Sequence, residues 1–164
     1  MPRIRESVPD VVFCVVGSKP PDEVLSLASK HVKVAGYVPD PDPYFDGALI
    51  FVSPLRYGAG MKGKIGQAMT YGLPVVTTSI GAEGMRLVDG DNALVADDAA
   101  KFADAVVRLY GDRELWRRLS GNSRAHVEKY FSERAVRPLL AELFPIAPAP
   151  PSAATASRVR EAKA

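Results

Sequence analysis

Short apolar, β-branched runs alternate along this chain with stretches of helical composition, and that alternation restricts it to an α/β fold with a mainly parallel, Rossmann-like sheet. Val11 to Val16 is a continuous apolar run ending at Gly17-Ser18, the pattern of a strand buried on both faces. Pro20-Pro21-Asp22 opens a helix with Asp22 and Glu23 in its favourable first turn, predicted to reach about Lys30. Val32 to Ala35 is a second strand closed by Gly36, and the Pro39 to Pro43 stretch breaks the chain before a helical turn at Tyr44 to Asp46. Ala48 to Val52, Val75 to Thr78 and Ala93 to Val95 are the third, fourth and fifth strands.

Three helices are predicted to follow. Asp98 to Tyr110 places Phe102, Val106 and Leu109 on one face, and Asp112 to Tyr130 turns Leu115, Trp116 and Leu119 inward. Ser132-Glu133 starts the last helix, which carries Leu139, Leu140 and Leu143 and is expected to be kinked or interrupted at Pro138. Residues 1–144 therefore read as one α/β domain with a helical C-terminal segment. Residues 145–164 are rich in proline and alanine, low in complexity, and expected to be disordered.

Composition removes several classes of function. The formal charge of +2 comes from Lys and Arg scattered among acids, which gives no nucleic-acid surface. No apolar stretch is long enough to span a bilayer, and neither a transmembrane span nor a signal peptide is expected. Cys14 is the sole cysteine; it is expected to pack as a small hydrophobe, and its isolation fits a reducing, cytoplasmic setting.

The residues from Pro54 to Gly84 carry the functional signal. After Gly58-Ala59-Gly60, the run Met61 to Tyr71 has helical composition and is stopped by Gly72-Leu73-Pro74. A helix start presents N–H groups without intrahelical partners and the positive end of the dipole. Lys62 and Lys64 stand where acids are ordinarily preferred, a cost of roughly 0.3–1 kcal/mol each. An anion bound there would offset that cost; solvated surface lysines are the alternative. Helical spacing brings Gly60, Lys64 and Gln67 near one face. Gly63 and Gly66 fit close approach by a ligand or by a packed neighbour.

In doubly wound α/β sheets, ligands bind beyond the carboxyl ends of the strands. Three loops fall there: Gly17-Ser18-Lys19, Ser53 to Gly60, and Ser79 to Gly84. No Gly-x-Gly-x-x-Gly fingerprint follows the first strand, and no Walker-type loop is present. His31 and His126 lack metal-ligand spacing and read as solvated or structural, while Asp40, Asp42 and Asp46 read as a solvated acidic loop. Ser18 and Ser53 lack the nucleophile-elbow context. No catalytic residue, metal ligand or cofactor is assigned.

The order VVFCVVGS, HVKVAGYVPD and ALIFVSPLRYGAGMKGKIGQAMTYGLPVVTTSIGAEGM resembles the C-terminal domain of the retaining group 1 glycosyltransferases, over roughly Pro9 to Ala135. The resemblance implies half of a GT-B architecture, in which this domain binds a nucleotide-diphosphate sugar and an N-terminal domain binds the acceptor. It implies no metal, because basic residues and helix N-termini neutralise the diphosphate leaving group. By that resemblance Lys62, Lys64 and the N–H groups of Gly60 and of Gly81, Ala82 and Glu83 stabilise the diphosphate, with Met61 in the same loop. Gln67 holds the ribose, and Gly17 and Ser18 lie close to the nucleotide.

Departures from the family pattern are specific. The family has a glutamate at each end of the motif that here runs from Ala59 to Gln67. An amide at 67 still bonds a diol but without charge assistance, and Ala59 offers only backbone groups. The family's domain normally opens with a strand, a loop and a helix that supply an arginine and a lysine; Met1 to Val8 resembles the end of that helix, and the missing strand would lie between the first and third strands read here. The resemblance thus implies a truncated chain that is inactive without an acceptor-binding domain. Three readings stay open: the donor-binding part of a glycosyltransferase, a non-catalytic nucleotide- or phosphate-binding module, and a structural interaction domain.

Overall fold

The computed structural model describes residues 1–144, and the tail expected to be disordered lies outside them. The elements run α1 (Pro2–Ser7), β1 (Phe13–Val16), α2 (Asp22–Leu25), β2 (Val32–Gly36), α3 (Asp42–Asp46), β3 (Phe51–Ser53), α4 (Gly63–Thr70), β4 (Val75–Thr77), α5 (Ser79–Ala82), β5 (Leu94–Val95), α6 (Ala99–Gly111), α7 (Arg113–Phe131) and α8 (Glu133–Leu143). Every strand pair is parallel, as the alternation of elements predicts. The strands form two sheets, one of order β1-β2 and one of order β3-β4-β5. The division falls between β1 and β3, and among the described residues no strand bridges the two sheets.

The middle strand β4 organises the core. Val75 and Val76 are both fully buried, and neighbouring residues of a strand point to opposite faces. Val76 packs with Leu94, Val106, Leu109, Leu115 and Leu119, and with Ile4 and Val11 from the N-terminal segment. Val75 packs on the other side with Ile65, Met69, Met85 and Ala93, against which Val127 and Phe131 of α7 lie. Phe45 of α3 joins Ala68 and Leu73 in a third cluster and stacks on Tyr71 at 5.0 Å between ring centroids. Trp116 is half-buried, and its Nε1–H donates to the Leu49 carbonyl at 2.8 Å.

The two-faced burial predicted for the first strand belongs to β4. In β1, Phe13 and Val15 are half-buried while Cys14 and Val16 are exposed. Cys14 is accordingly an exposed free thiol and not a core residue. One cause is the brevity of α2, which stops at Leu25. The Ser26 hydroxyl donates to the Glu23 carbonyl at 2.8 Å, and the next turns tighten to Leu27 N–H on Val24 and Ala28 N–H on Leu25. A serine that bonds back to the backbone competes with helix propagation, so little helix remains to cover the strand.

The C-terminal helices start as predicted, on side-chain caps. Asp98 accepts from Ala100 and Lys101, both at 2.9 Å, Asp112 from Leu115 at 2.8 Å, and Ser132 from Ala135 at 3.2 Å. α8 runs through Pro138 as one helix, so the residue does not interrupt it. Arg3 forks onto Asp104 at 2.7 and 3.0 Å and ties α1 to α6 in solvent, where such a pair contributes little.

The backbone donors from Lys101 and Ala100 hold the Asp98 carboxyl below the ordinary aspartate range. A carboxylate depressed in the folded state contributes stability that is complete above the unfolded pKa of about 3.9 and is lost as pH falls through the folded value. Asp98→Ala is therefore expected to lower stability at neutral pH and to flatten the loss on acidification below about pH 4. Urea unfolding across a pH series checks this; an unchanged acid limb contradicts it.

Candidate functional site

The loops after β3 and β4 meet at the start of α4. Helix α4 begins at Gly63 with Lys62 as its N-cap, later than the sequence pattern suggests, and has no acid in its first turn. The preceding Gly60 has φ +72, a left-handed conformation that glycine adopts without cost. Ile65 and Gly66 donate to the Lys62 carbonyl. Among the described residues the N–H groups of Gly63 and Lys64 have no acceptor. The Lys62 ammonium folds back onto neutral carbonyls, at 2.7 Å from Gly60 and 3.3 Å from Gly58. Lys64 Nζ reaches Gln67 Oε1 at a long 3.4 Å, the convergence that helical spacing predicts. Tyr57 and Met61 are strongly exposed beside this loop, at 86% and 67% of full accessibility.

Buried threonines at the end of β4 secure the arrangement. Thr77 Oγ1 donates to the Ser53 carbonyl at 2.9 Å, and Thr78 Oγ1 donates to the Leu55 carbonyl at 2.7 Å. Thr78 also accepts from the Gly81 N–H at 3.2 Å and so caps α5. The Ala82 N–H bonds Thr78, and the Glu83 N–H bonds Ser79. The N–H groups of Gly81, Ala82 and Glu83 are thus engaged within this loop, which is a helical turn. Gly81 is buried, and a Cβ there would collide with the Thr77 hydroxyl.

The second loop then returns to the first. Gly84, at φ +73, lies close enough that a Cβ would touch the Gly60 carbonyl at 3.5 Å. Met85 is buried, its Sδ accepts the Lys62 N–H at 3.3 Å, and its methyl lies over Gly66. A Cβ at Gly66 would meet only the Met85 methyl, at an ordinary contact distance of 3.5 Å, and the space above Gly63 is open.

The expected set is only partly assembled. Gly60, Met61, Lys62, Lys64 and Gln67 share one loop and helix start, with Gly81, Ala82 and Glu83 on the turn beside it. Gly17 and Ser18 lie at the end of β1 in the other sheet; the Gly17 N–H bonds the Gly36 carbonyl at 2.9 Å, and neither residue bonds the glycine–lysine loop. Sequence reasoning passed over Thr77, Thr78 and Met85. A threonine pair closing an otherwise apolar strand was the available signal for the first two. Among the described residues no cluster of three or more His, Cys, Asp or Glu could hold a metal, and no helix is long and apolar enough to cross a membrane.

Comparison with known proteins agrees with this architecture. The family described as Glycosyl transferases group 1 matches residues 1–112. An uncharacterized 44.6 kDa protein in the cps region of Klebsiella pneumoniae is 29% identical over 92 residues, 56% of this chain and 24% of that one. The putative glycosyltransferase YtcC of Bacillus subtilis (strain 168) is 28% identical over 149 residues, 80% of this chain and 37% of that one. This chain thus spans well under half the length of both relatives. Among solved structures, Anabaena Alr3699/HepE in complex with UDP superposes with a TM-score of 0.73 at 18% identity, covering 87% of this chain and 44% of that one. The C-terminal domain of the group 1 family protein LpcC from Francisella tularensis gives 0.66 at 21% identity, covering 79% of this chain and 74% of that one. Identities this low establish a shared fold.

Gly81→Ala is expected to displace the Thr77 hydroxyl from Ser53 and to cost about 1–3 kcal/mol by overpacking. Thermal unfolding checks the loss. Adding Thr77→Ser, which frees the space of a methyl, should recover part of it; a Gly81→Ala protein as stable as the parent would contradict the contact.

Proposed function

The chain belongs to the group 1 glycosyl transferases, and from that membership we propose that it is the donor-binding part of a retaining glycosyltransferase that takes a nucleotide-diphosphate sugar. The observation that carries the reading is the start of α4: two unengaged N–H groups, no acid, and a lysine on each side of Gly63. The helix dipole, N–H groups and ammonium groups would all favour one diphosphate there. Lys62 exchanges its contacts with the Gly58 and Gly60 carbonyls for phosphate oxygens. Lys64 does the same and releases Gln67, whose amide bonds the ribose diol. Charge accumulates on the diphosphate as the glycosidic bond breaks, so fixed donors around it stabilise the transition state more than the ground state.

Gly17 and Ser18 border the nucleotide from the end of β1. Gly81, Ala82 and Glu83 shape the wall beside the diphosphate. Acceptor recognition falls to a separate N-terminal domain, and transfer needs both. The cytoplasm, a reducing compartment, suits the exposed, unpaired thiol of Cys14. The relative solved with UDP supports the ligand class.

A second reading rests on Ala59 and Gln67, which stand where the family carries glutamates: the pocket holds the nucleotide without catalysing transfer. The parent chain combined with an acceptor-binding half distinguishes the two: sugar transfer supports the enzyme, whereas transfer that appears only with Gln67→Glu, or with neither, supports the binding module.

Calorimetric titration with UDP, GDP and ADP tests the site. Binding of at least one nucleotide is expected, with Lys62→Ala/Lys64→Ala weakening it about tenfold or more, or about 1.4 kcal/mol. Absence of binding to all three at millimolar concentration, or a double variant that binds like the parent, would overturn the proposal.

A further inference from the structure

His126 is buried in the middle of α7 and distant in sequence from the glycine–lysine loop. Its ring nitrogens are both engaged. Asn92 Oδ1 accepts the Val88 N–H at 2.8 Å, so the amide NH2 of Asn92 is the end that faces His126 Nδ1 at 3.0 Å. Nδ1 must then accept, and the ring proton sits on Nε2, which donates to the Met85 carbonyl at 2.8 Å. Ser123, one turn earlier on α7, donates to the Asn92 carbonyl at 3.2 Å. Helix α7 thus grips both ends of the segment from Met85 to Asn92.

That grip reaches the loop through one residue. Met85, fixed by its carbonyl, offers its thioether to the Lys62 N–H at 3.3 Å and its methyl to Gly66. The adjoining backbone is in a costly conformation, because Arg86 has φ +52 with a full side chain. Its guanidinium lies over the Tyr130 ring at 5.2 Å, another contact from α7. Such a turn persists only where its surroundings hold it.

We infer that His126 is a positioning residue for the helix start, acting through Met85 and the Lys62 N–H it holds to aim the open Gly63 and Lys64 N–H groups at the bound anion. The inference rests on the diphosphate reading for its ligand, but its mechanical part does not. Removing the imidazole frees Met85, and a freed Met85 no longer holds the Lys62 N–H. Phosphate affinity then falls while contacts to the nucleoside stay unchanged.

The test uses the whole chain, with nitrogen-15 NMR exchange of the Lys62 amide and titration with UDP and with uridine. His126→Leu removes both ring bonds; His126→Gln keeps an amide N–H for Met85 and a carbonyl for Asn92. Met85→Leu conserves volume and removes only the sulfur acceptor, which keeps the question answerable if His126→Leu folds poorly. Faster Lys62 exchange and UDP binding weaker by about 2- to 10-fold are expected for His126→Leu and Met85→Leu, the range set by one net hydrogen bond. Uridine binding should not change, and His126→Gln should restore parental values. Unaltered Lys62 exchange in both folded variants, or a Gln variant as impaired as the Leu variant, would overturn the inference. A parent chain that binds no UDP would overturn the diphosphate reading separately, with Lys62 exchange still deciding the role of His126.

Discussion

Burial of β4 on both faces is the constraint on which the rest of the structure depends. Val75 and Val76 differ by one position and therefore face opposite cores, each closed by a different set of helices. Because the strand cannot slip by one residue without exchanging those faces, Thr77 and Thr78 are delivered to fixed positions at its carboxyl end. Their hydroxyls then bind carbonyls of the loop after β3. A packing requirement in the sheet thus becomes the geometry of the loops around the start of α4.

The site is a meeting of two loops, each secured from outside itself. The first is pinned by Thr77 and Thr78, and the second by His126 and Asn92. Between them, Met85 joins the hydrophobic cluster on one side and the backbone of Lys62 on the other. A buried polar atom left unpaired costs about 1–3 kcal/mol. Among the described residues no buried side-chain nitrogen or oxygen lacks a partner, so the arrangement of the loops is specified as well as stabilised.

Much of this was legible in the residues. The parallel α/β class, the order of strands and helices, and the caps at Asp98, Asp112 and Ser132 follow from short-range signals. So does the proximity of Lys64 to Gln67 on α4. Burial was less legible. Val11 to Val16 and Val75 to Thr78 look alike as apolar runs, yet one strand is half exposed and the other enclosed. Periodicity reports what a strand could bury and says nothing of whether a neighbour comes to cover it. The loop from Ser79 to Gly84 shows a related limit: a short glycine-containing segment can present its N–H groups or satisfy them in a turn of helix, and Thr78 tips it to the second.

By itself the sequence determined the alternation of elements and an acid-free helix start carrying Lys62 and Lys64 between glycine loops. Those are local properties, set by side-chain volume, branching and charge over a few residues. Only the tertiary structure decided which N–H groups remain open and which are consumed, and that Met85 is held by a histidine 41 residues away. Such contacts depend on how α7 lies across the sheet, and hydrogen bonds reach only about 3 Å. No spacing along the chain encodes a partner brought that close by packing alone.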